Sequence, residues 1–159
     1  MTYRIENARL SDRRMMFAEM AGIQTAELHF MAMDTLAAYA DAGAWTALVH
    51  GGAGLAGINV TLPASYFKPA VDLCAALNLD LDTTVVDTMT YIQEDHRGQG
   101  LAKKMRTSSY QQSRARGMKT MLGYGYQSRQ ILDWARHIYG DALTTKVDHK
   151  GDPVFVVAL

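Results

Sequence analysis

The sequence has little of what marks secreted, membrane, metal-binding or disulfide-bonded proteins. Its 159 residues include a single cysteine, Cys74, so an internal disulfide is excluded and we expect a reducing, cytoplasmic location. No apolar run reaches the ~18 residues that cross a bilayer, and the opening MTYRIENARLSDRR lacks the apolar core of a signal peptide. No two of the five histidines are four residues apart, so we expect no metal site. Internal repeats and low-complexity tracts are missing too, which leaves one folded domain over residues 1–159.

The net charge is zero, but the two signs are unevenly distributed. Residues 1–95 hold five Lys and Arg against twelve Asp and Glu, a net charge of −7. Residues 96–159 hold eleven against four, a net charge of +7. A neutral chain lacks the basic face that general nucleic-acid binding needs. Either the charges mix on one folded surface, or the C-terminal half binds an anionic ligand and the N-terminal half faces a cationic one.

Hydrophobic periodicity and capping residues predict a single α/β domain with a mixed sheet. Apolar, alternating or β-branched runs predict strands at residues 3–8, 45–50, 55–62, 82–93, 119–126, 144–148 and 153–159. Helical spacing predicts helices at about 12–21, 34–42, 101–116 and 128–139, with a short helix within residues 64–80.

Two glycine-containing segments are candidate phosphate sites, and their contexts separate them. Gly52-Ala-Gly54-Leu-Ala-Gly57 has the spacing of a dinucleotide-binding loop, but such a loop must lead into a helix. A predicted strand follows instead, so we expect a hairpin turn. Arg97-Gly-Gln-Gly-Leu-Ala102 lies between a β-branched strand and a basic helix. Its glycines let consecutive N–H groups face one anion at the positive end of that helix, which predicts a phosphate or pyrophosphate site.

The second segment also carries a resemblance to a known family. Arg97-x-x-Gly100-x-Ala102 is similar to the Q/R-x-x-G-x-G/A signature of the GNAT acyl-CoA N-acyltransferases, and residues 91–96 resemble the end of that family's fourth strand. The element order matches over essentially the whole chain, with a helical insertion at residues 64–80. The resemblance implies a GNAT-like fold: a mixed central sheet of about seven strands with helices on both faces. It also implies acetyl transfer from acetyl-CoA to a primary amine by direct attack.

The resemblance also implies where the acyl donor binds. In that family the pantetheine arm lies between two splayed strands, which correspond here to the strands ending at Gln93 and Tyr126. Backbone groups near Thr90 and Ile92 would bind the pantetheine and the thioester carbonyl, where an N–H stabilises the developing oxyanion. The other implied donor-binding residues are Arg97, Gly98, Gln99, Gly100, Leu101, Ala102, Lys103 and Gln127. The charge asymmetry then matches a polyanionic donor and a cationic acceptor.

Two residues are candidates for proton transfer. Asp87 is a lone carboxylate among hydrophobic and β-branched residues, so it is the candidate base for the amine; the alternative is an Asp at a bulge or strand edge. Glu94 and Asp95 come second, because they lie in the following turn, where a capping or solvated role is expected. The family's general acid is a tyrosine whose place, counted from Gln127, falls here on Trp134, so the chain departs from the pattern. Tyr139 is the first candidate substitute, with helix-end packing as its alternative role, and Tyr124 and Tyr126 on the preceding strand are the other candidates. An unassisted thiolate is also tolerable, since thiols have a pKa of about 8.5.

Three functions are therefore open at this point. The first is an N-acetyltransferase acting on a small-molecule or protein amine. The second is a GNAT-shaped module that binds CoA as a sensor or interaction domain without turnover. The third is a nucleotide-binding regulatory domain that uses the same anion site. Members of the resembled family often form homodimers, so a homodimer is compatible with each.

Overall fold

A seven-stranded sheet forms the centre of the molecule in the computed structural model, which describes residues 2–13, 38–52, 54–124 and 129–159. The strands are β1 (Tyr3–Arg9), β2 (Trp45–Gly51), β3 (Gly54–Pro63), β4 (Thr84–Ile92), β5 (Thr120–Tyr124), β6 (Leu143–Val147) and β7 (Pro153–Ala158). Their order across the sheet is β1-β2-β3-β4-β5-β7-β6. Only β4 and β5 run parallel among these neighbours, so the sheet is mixed, as predicted.

The three longer α-helices of the described residues are α1 (Lys68–Leu77), α2 (Leu101–Ala115) and α3 (Arg129–Tyr139). Residues 38–41 are the last turn of another helix, which ends before Gly43 as predicted. The helix predicted at 12–21 lies mostly outside the described residues. Its described start belongs to a 3-10 turn at Leu10–Arg13. Among the described helices, none is long and apolar enough to cross a bilayer.

The helices cover both faces of the sheet because side chains alternate along each strand. Val86 and Leu122 point to the face where α1 packs, together with Leu73 and Cys74. Their neighbours Val85 and Met121 point to the opposite face and contact α3. On that second face, α2 packs Leu101 and Met105 against small residues of β2 and β3. The predicted arrangement of helices on both faces is confirmed.

The segment with dinucleotide-loop spacing forms a hairpin turn, as predicted. Gly51 at the end of β2 pairs with Gly54 at the start of β3, and no helix follows. The last glycine of the motif, Gly57, has a packing role in the sheet. A Cβ there would lie 2.8 Å from the main-chain oxygen of Tyr91 and would push β3 away from β4.

The parallel strands β4 and β5 pair only over their first residues. Thr84, Val85 and Val86 lie opposite Thr120, Met121 and Leu122. Beyond that point β5 pairs only with β7, whereas β4 continues beside β3 as far as Ile92. The two strands therefore separate after Val86, and one edge of β4 from Asp87 onward is left without a strand partner among the described residues.

Candidate functional site

An open cleft of about 450 Å³ lies along the part of β4 that has left β5. It is lined by Thr90, Tyr91 and Ile92 of β4, by Arg97 and Ala102 of the following loop and helix, and by Trp134 of α3. Four of these residues, namely Thr90, Ile92, Arg97 and Ala102, are among the predicted donor-binding residues. The structure thus brings the predicted strand and the predicted loop to one cleft.

The loop between β4 and α2 has the backbone geometry of an anion site. Gly98 and Gly100 have φ values of 75° and 69°, in the left-handed region that favours glycine. Gly100 is the N-cap of α2 and provides no side chain to cap the helix, so the first amides of α2 point outward without an intrahelical acceptor. Arg97 fixes the loop to the strand because its Nε donates to the main-chain oxygen of Ile92 at 3.1 Å. Consecutive N–H groups and a positive helix end therefore meet at the mouth of the cleft.

Two further predicted residues of this segment contribute in different ways. The side chain of Leu101 is buried in the core, so only its main-chain amide is available to a ligand. Lys103 is exposed, and its Nζ lies 3.4 Å from Nε2 of His137 on α3. Gln127, also predicted to bind the donor, lies outside the described residues.

A buried carboxylate lies behind the cleft. The side chain of Asp87 is 1% exposed, and its Oδ2 lies 2.7 Å from Nη1 of Arg106 on α2. Its Oδ1 accepts a hydrogen bond from Nδ2 of Asn59 on β3 at 2.8 Å. Burial raises the pKa of the Asp87 carboxyl above its ordinary value, and the Arg106 charge and the Asn59 hydrogen bond oppose this shift only in part. The carboxylate thus has a charge partner and an amide donor inside the protein.

The same two donors extend to the wall of the cleft. Nε of Arg106 and Nδ2 of Asn59 both donate to the Thr90 hydroxyl oxygen, at 2.9 and 3.0 Å. The Ser109 hydroxyl donates to Oδ1 of Asn59. The Arg106 guanidinium also lies over the Trp134 ring, 4.2 Å from its centroid. Arg106 therefore connects Thr90 on β4 with Trp134 on α3, on the two sides of the cleft.

Comparison with known proteins gives matches at the level of structure. No protein-family model matches the sequence, and no curated protein matches it. An N-acetyltransferase of Thermoplasma acidophilum solved with coenzyme A superposes with a TM-score of 0.62 at 9% identity, over 100% of both chains. The ribosomal-protein-S18-alanine N-acetyltransferase of Escherichia coli superposes with a TM-score of 0.64 at 13% identity, over 99% of this chain and 93% of that one. An acetyltransferase of the GNAT family from Staphylococcus aureus superposes with a TM-score of 0.59 at 10% identity, over 99% of each chain.

The chain has the GNAT fold. The fold class implied by the sequence resemblance is therefore confirmed. At identities of 9 to 13%, these structures establish the fold and leave the chemistry to the residues of the cleft.

The two predicted catalytic residues lie on the face of this GNAT fold that packs α2 and α3. Neither Asp87 nor Tyr139 is among the residues that line the cleft. The Tyr139 hydroxyl lies 3.8 Å from Sδ of Met121, and its ring packs against Tyr110 and Phe155. Burial and the nearby Asp87 charge raise the pKa of Tyr139 above its ordinary value of 10. Their roles in proton transfer stay predictions.

Sequence reasoning missed three members of the buried network: Asn59, Arg106 and Ser109. One signal was available for Asn59, because it interrupts the apolar run of β3 just as Asp87 interrupts that of β4. Ser109 belongs to the buried stripe of α2, at four-residue spacing from Met105. Nothing local marks Arg106, whose importance depends on the strands that α2 crosses.

Proposed function

We propose that the protein is an N-acetyltransferase that moves an acetyl group from acetyl-CoA to a primary amine by direct nucleophilic attack. The observation that carries this proposal is the edge of β4 that no described strand pairs with, which lies beside a loop with two left-handed glycines. An extended ligand can use the free N–H and C=O groups of a strand edge in the way that an added strand does. The pantetheine arm of CoA, with two amides in a flexible chain, has that character.

The chemistry of the donor matches the residues along the cleft. Backbone groups at Thr90 and Ile92 would hold the pantetheine, and the amides of Gly98 to Ala102 would hold the diphosphate. Arg97 and Lys103 add positive charge at the mouth, and Gln127 stays a predicted donor-binding residue. A diphosphate at a helix N-terminus gains both from the N–H donors and from the helix dipole.

The acceptor is proposed to be a cationic amine, either a small molecule or a protein amine. The net charge of −7 over residues 1–95 supports this, because it attracts a protonated amine while the basic half attracts CoA. The single cysteine, Cys74, is free and buried, which supports the proposal of a reducing, cytoplasmic location. Homodimerisation stays a prediction.

Proton transfer has two routes in this proposal. In the first, Asp87 accepts the amine's proton and Tyr139 supplies one to the thiolate. That route requires Asp87 to release Arg106 and Tyr139 to turn away from Met121. In the second, solvent takes the proton of the amine and returns one to the thiolate, and neither buried side chain moves. Replacing Asp87 distinguishes the routes, since only the first gives a pH–rate profile that depends on its carboxylate.

The test is calorimetric titration with CoA and acetyl-CoA, followed by thiol release with a panel of polyamines, amino acids, aminoglycosides and lysine peptides. We expect CoA binding, and thiol release with at least one class of amine. Binding without release from any amine would favour the CoA-binding module. Tighter binding of a mononucleotide than of CoA would favour the regulatory domain. No binding of either would refute the proposal.

A further inference from the structure

Thr90 combines two features: it lines the cleft, and its hydroxyl accepts two hydrogen bonds from the buried network. Nε of Arg106 is 2.9 Å from the Thr90 oxygen, and Nδ2 of Asn59 is 3.0 Å from it. Thr90 itself lines the cleft. What this hydroxyl can do depends on which of its neighbours are obliged to donate.

Both neighbours can only be donors. The Nε of an arginine carries a hydrogen and no free lone pair, so Arg106 must donate. The orientation of the Asn59 amide is set by Asp87, whose ionised carboxylate, paired with Arg106, only accepts and therefore requires the NH₂ group on its side. The Ser109 hydroxyl then completes the arrangement by donating to the Asn59 oxygen. The direction of every hydrogen bond to Thr90 follows from these constraints.

A hydroxyl group has one hydrogen and two acceptor lone pairs. Arg106 and Asn59 occupy both lone pairs of the Thr90 oxygen, so its hydrogen must point in a third direction. No described residue accepts a hydrogen bond from the Thr90 hydroxyl. Because Thr90 itself lines the cleft, a ligand bound there can accept that hydrogen.

We propose that the Thr90 hydroxyl is a catalytic residue that donates a hydrogen bond to the carbonyl oxygen of the bound thioester. This inference rests on the proposed acetyltransferase function. The amine nitrogen forms a bond to the thioester carbon, and the π electrons of the carbonyl move onto oxygen, where the Thr90 hydrogen stabilises them. The carbonyl then re-forms, the C–S bond breaks, and the electron pair leaves on sulfur as the thiolate. The amine loses one proton and the thiolate gains one, so the products are the amide and CoA.

In this scheme Arg106, Asn59 and Asp87 are positioning residues. They act through Thr90 by occupying its lone pairs, and the nearby guanidinium charge polarises its O–H bond toward the substrate. A donor that is already oriented needs no reorganisation when charge develops in the transition state, which is the basis of oxyanion stabilisation.

The kinetic test compares Thr90→Val, which removes the donor, with Thr90→Ser, which keeps it. We expect Thr90→Val to lower kcat on the order of 10²-fold while the affinity for CoA changes little, and Thr90→Ser to retain most of the rate. Thr84→Val is the matched control, since the Thr84 hydroxyl donates to the main-chain oxygen of Asp80 at 2.6 Å, on the same strand but away from the cleft. Both Val variants should lose some thermal stability, but only Thr90→Val should lose kcat. If Thr90→Val does not fold, Thr90→Cys replaces it, with a weaker donor and an intermediate rate.

A second readout does not depend on turnover. In acetyl-CoA labelled with ¹³C at the acetyl carbonyl, a hydrogen bond to the oxygen lowers the infrared stretching frequency. We expect a lower frequency in the wild-type and Thr90→Ser complexes than in the Thr90→Val or Thr90→Cys complex. An unchanged frequency in a variant that still binds acetyl-CoA would overturn the role of Thr90 and leave the proposed function standing. Failure of the wild type to bind acetyl-CoA would overturn both.

Discussion

The two ends of helix α2 offer a matched test of the anion loop. Gly100 at its start and Gly117 just beyond its end have φ values of 69° and 80°, and a Cβ built at either one meets no atom within 4 Å. Replacement by alanine therefore costs only backbone strain, about 1–2 kcal/mol in the left-handed region. The lower entropy of the unfolded chain offsets about 0.4–1 kcal/mol of that loss of stability. Gly100→Ala and Gly117→Ala should thus destabilise the fold by similar, small amounts as long as both loops keep their conformation.

Ligand affinity should distinguish the two variants. If Gly100→Ala relaxes the loop in the free protein, CoA binding must restore the strained conformation at a cost of about 1–2 kcal/mol, which weakens Kd by about 5- to 30-fold. Gly117→Ala should bind CoA like the wild type. Calorimetric titration with CoA measures both constants, and thermal denaturation shows whether the loop has relaxed, because relaxation makes the stability loss of Gly100→Ala smaller than that of Gly117→Ala. Equal affinities despite a relaxed loop would refute the assignment of the loop to the diphosphate.

Three further predictions concern the structure around the site. Asp87→Asn and Arg106→Met should each lower the free energy of unfolding, measured in urea, by about 3–5 kcal/mol, because each leaves one member of the buried pair without its partner. The double variant should lose less than the sum of the two, and additive losses would contradict the buried pair. Gly123→Ala would place a methyl group in the ring of Phe155 and should lower the free energy of unfolding by about 1–3 kcal/mol or more. The loss should be smaller in a Phe155→Leu background, and an equal loss in both backgrounds would contradict this packing. Hydrogen bonds from the turn amides of Asp152 and Lys150 lower the pKa of the half-buried Asp148. Its contribution to stability is therefore present above the ordinary pKa of 3.8 and is lost as pH falls through the lower pKa of the folded state. Asp148→Asn should flatten the acid limb of the melting temperature against pH, and an unchanged limb would contradict the turn's role.

Local patterns predicted most of the fold because the residues of each described strand or helix have the pattern that is typical of that element. The alternation along β1 and the β-branched run of β4 predicted strands that the structure contains. The boundary of β4 was less accurate: the strand starts at Thr84 where residue 82 was predicted. Asp80 explains the difference, because its carboxylate accepts from the amide of Asp82 and the hydroxyl of Thr83 and holds a 3-10 turn there. A short polar side chain that bonds to its own backbone can override the β propensity of its neighbours.

The loop between β4 and α2 could also be predicted from local sequence, since its glycines and the start of the helix follow one another directly in the chain. The network behind the cleft could not, because it depends on which residues of distant segments meet. Asn59 reaches Thr90 through the pairing of β3 with β4, and Arg106 reaches both Asp87 and Thr90 from α2. A pattern within one segment shows that a polar residue is out of place in an apolar run; it does not show the partner.

One irregularity in β4 decides which face of the sheet these partners share. Asp87 and Thr90 are three residues apart, so in a regular strand their side chains would point to opposite faces. The register with β3 shifts between them: Val60 pairs with Met89 and Thr61 with Asp87, which leaves Thr88 as an extra residue. This bulge returns both side chains to the face of α2, where both contact Asn59 and Arg106. The Thr-Met sequence at this point carries no bulge signal, so the orientation of the Thr90 hydroxyl follows from a backbone feature that only the paired sheet reveals.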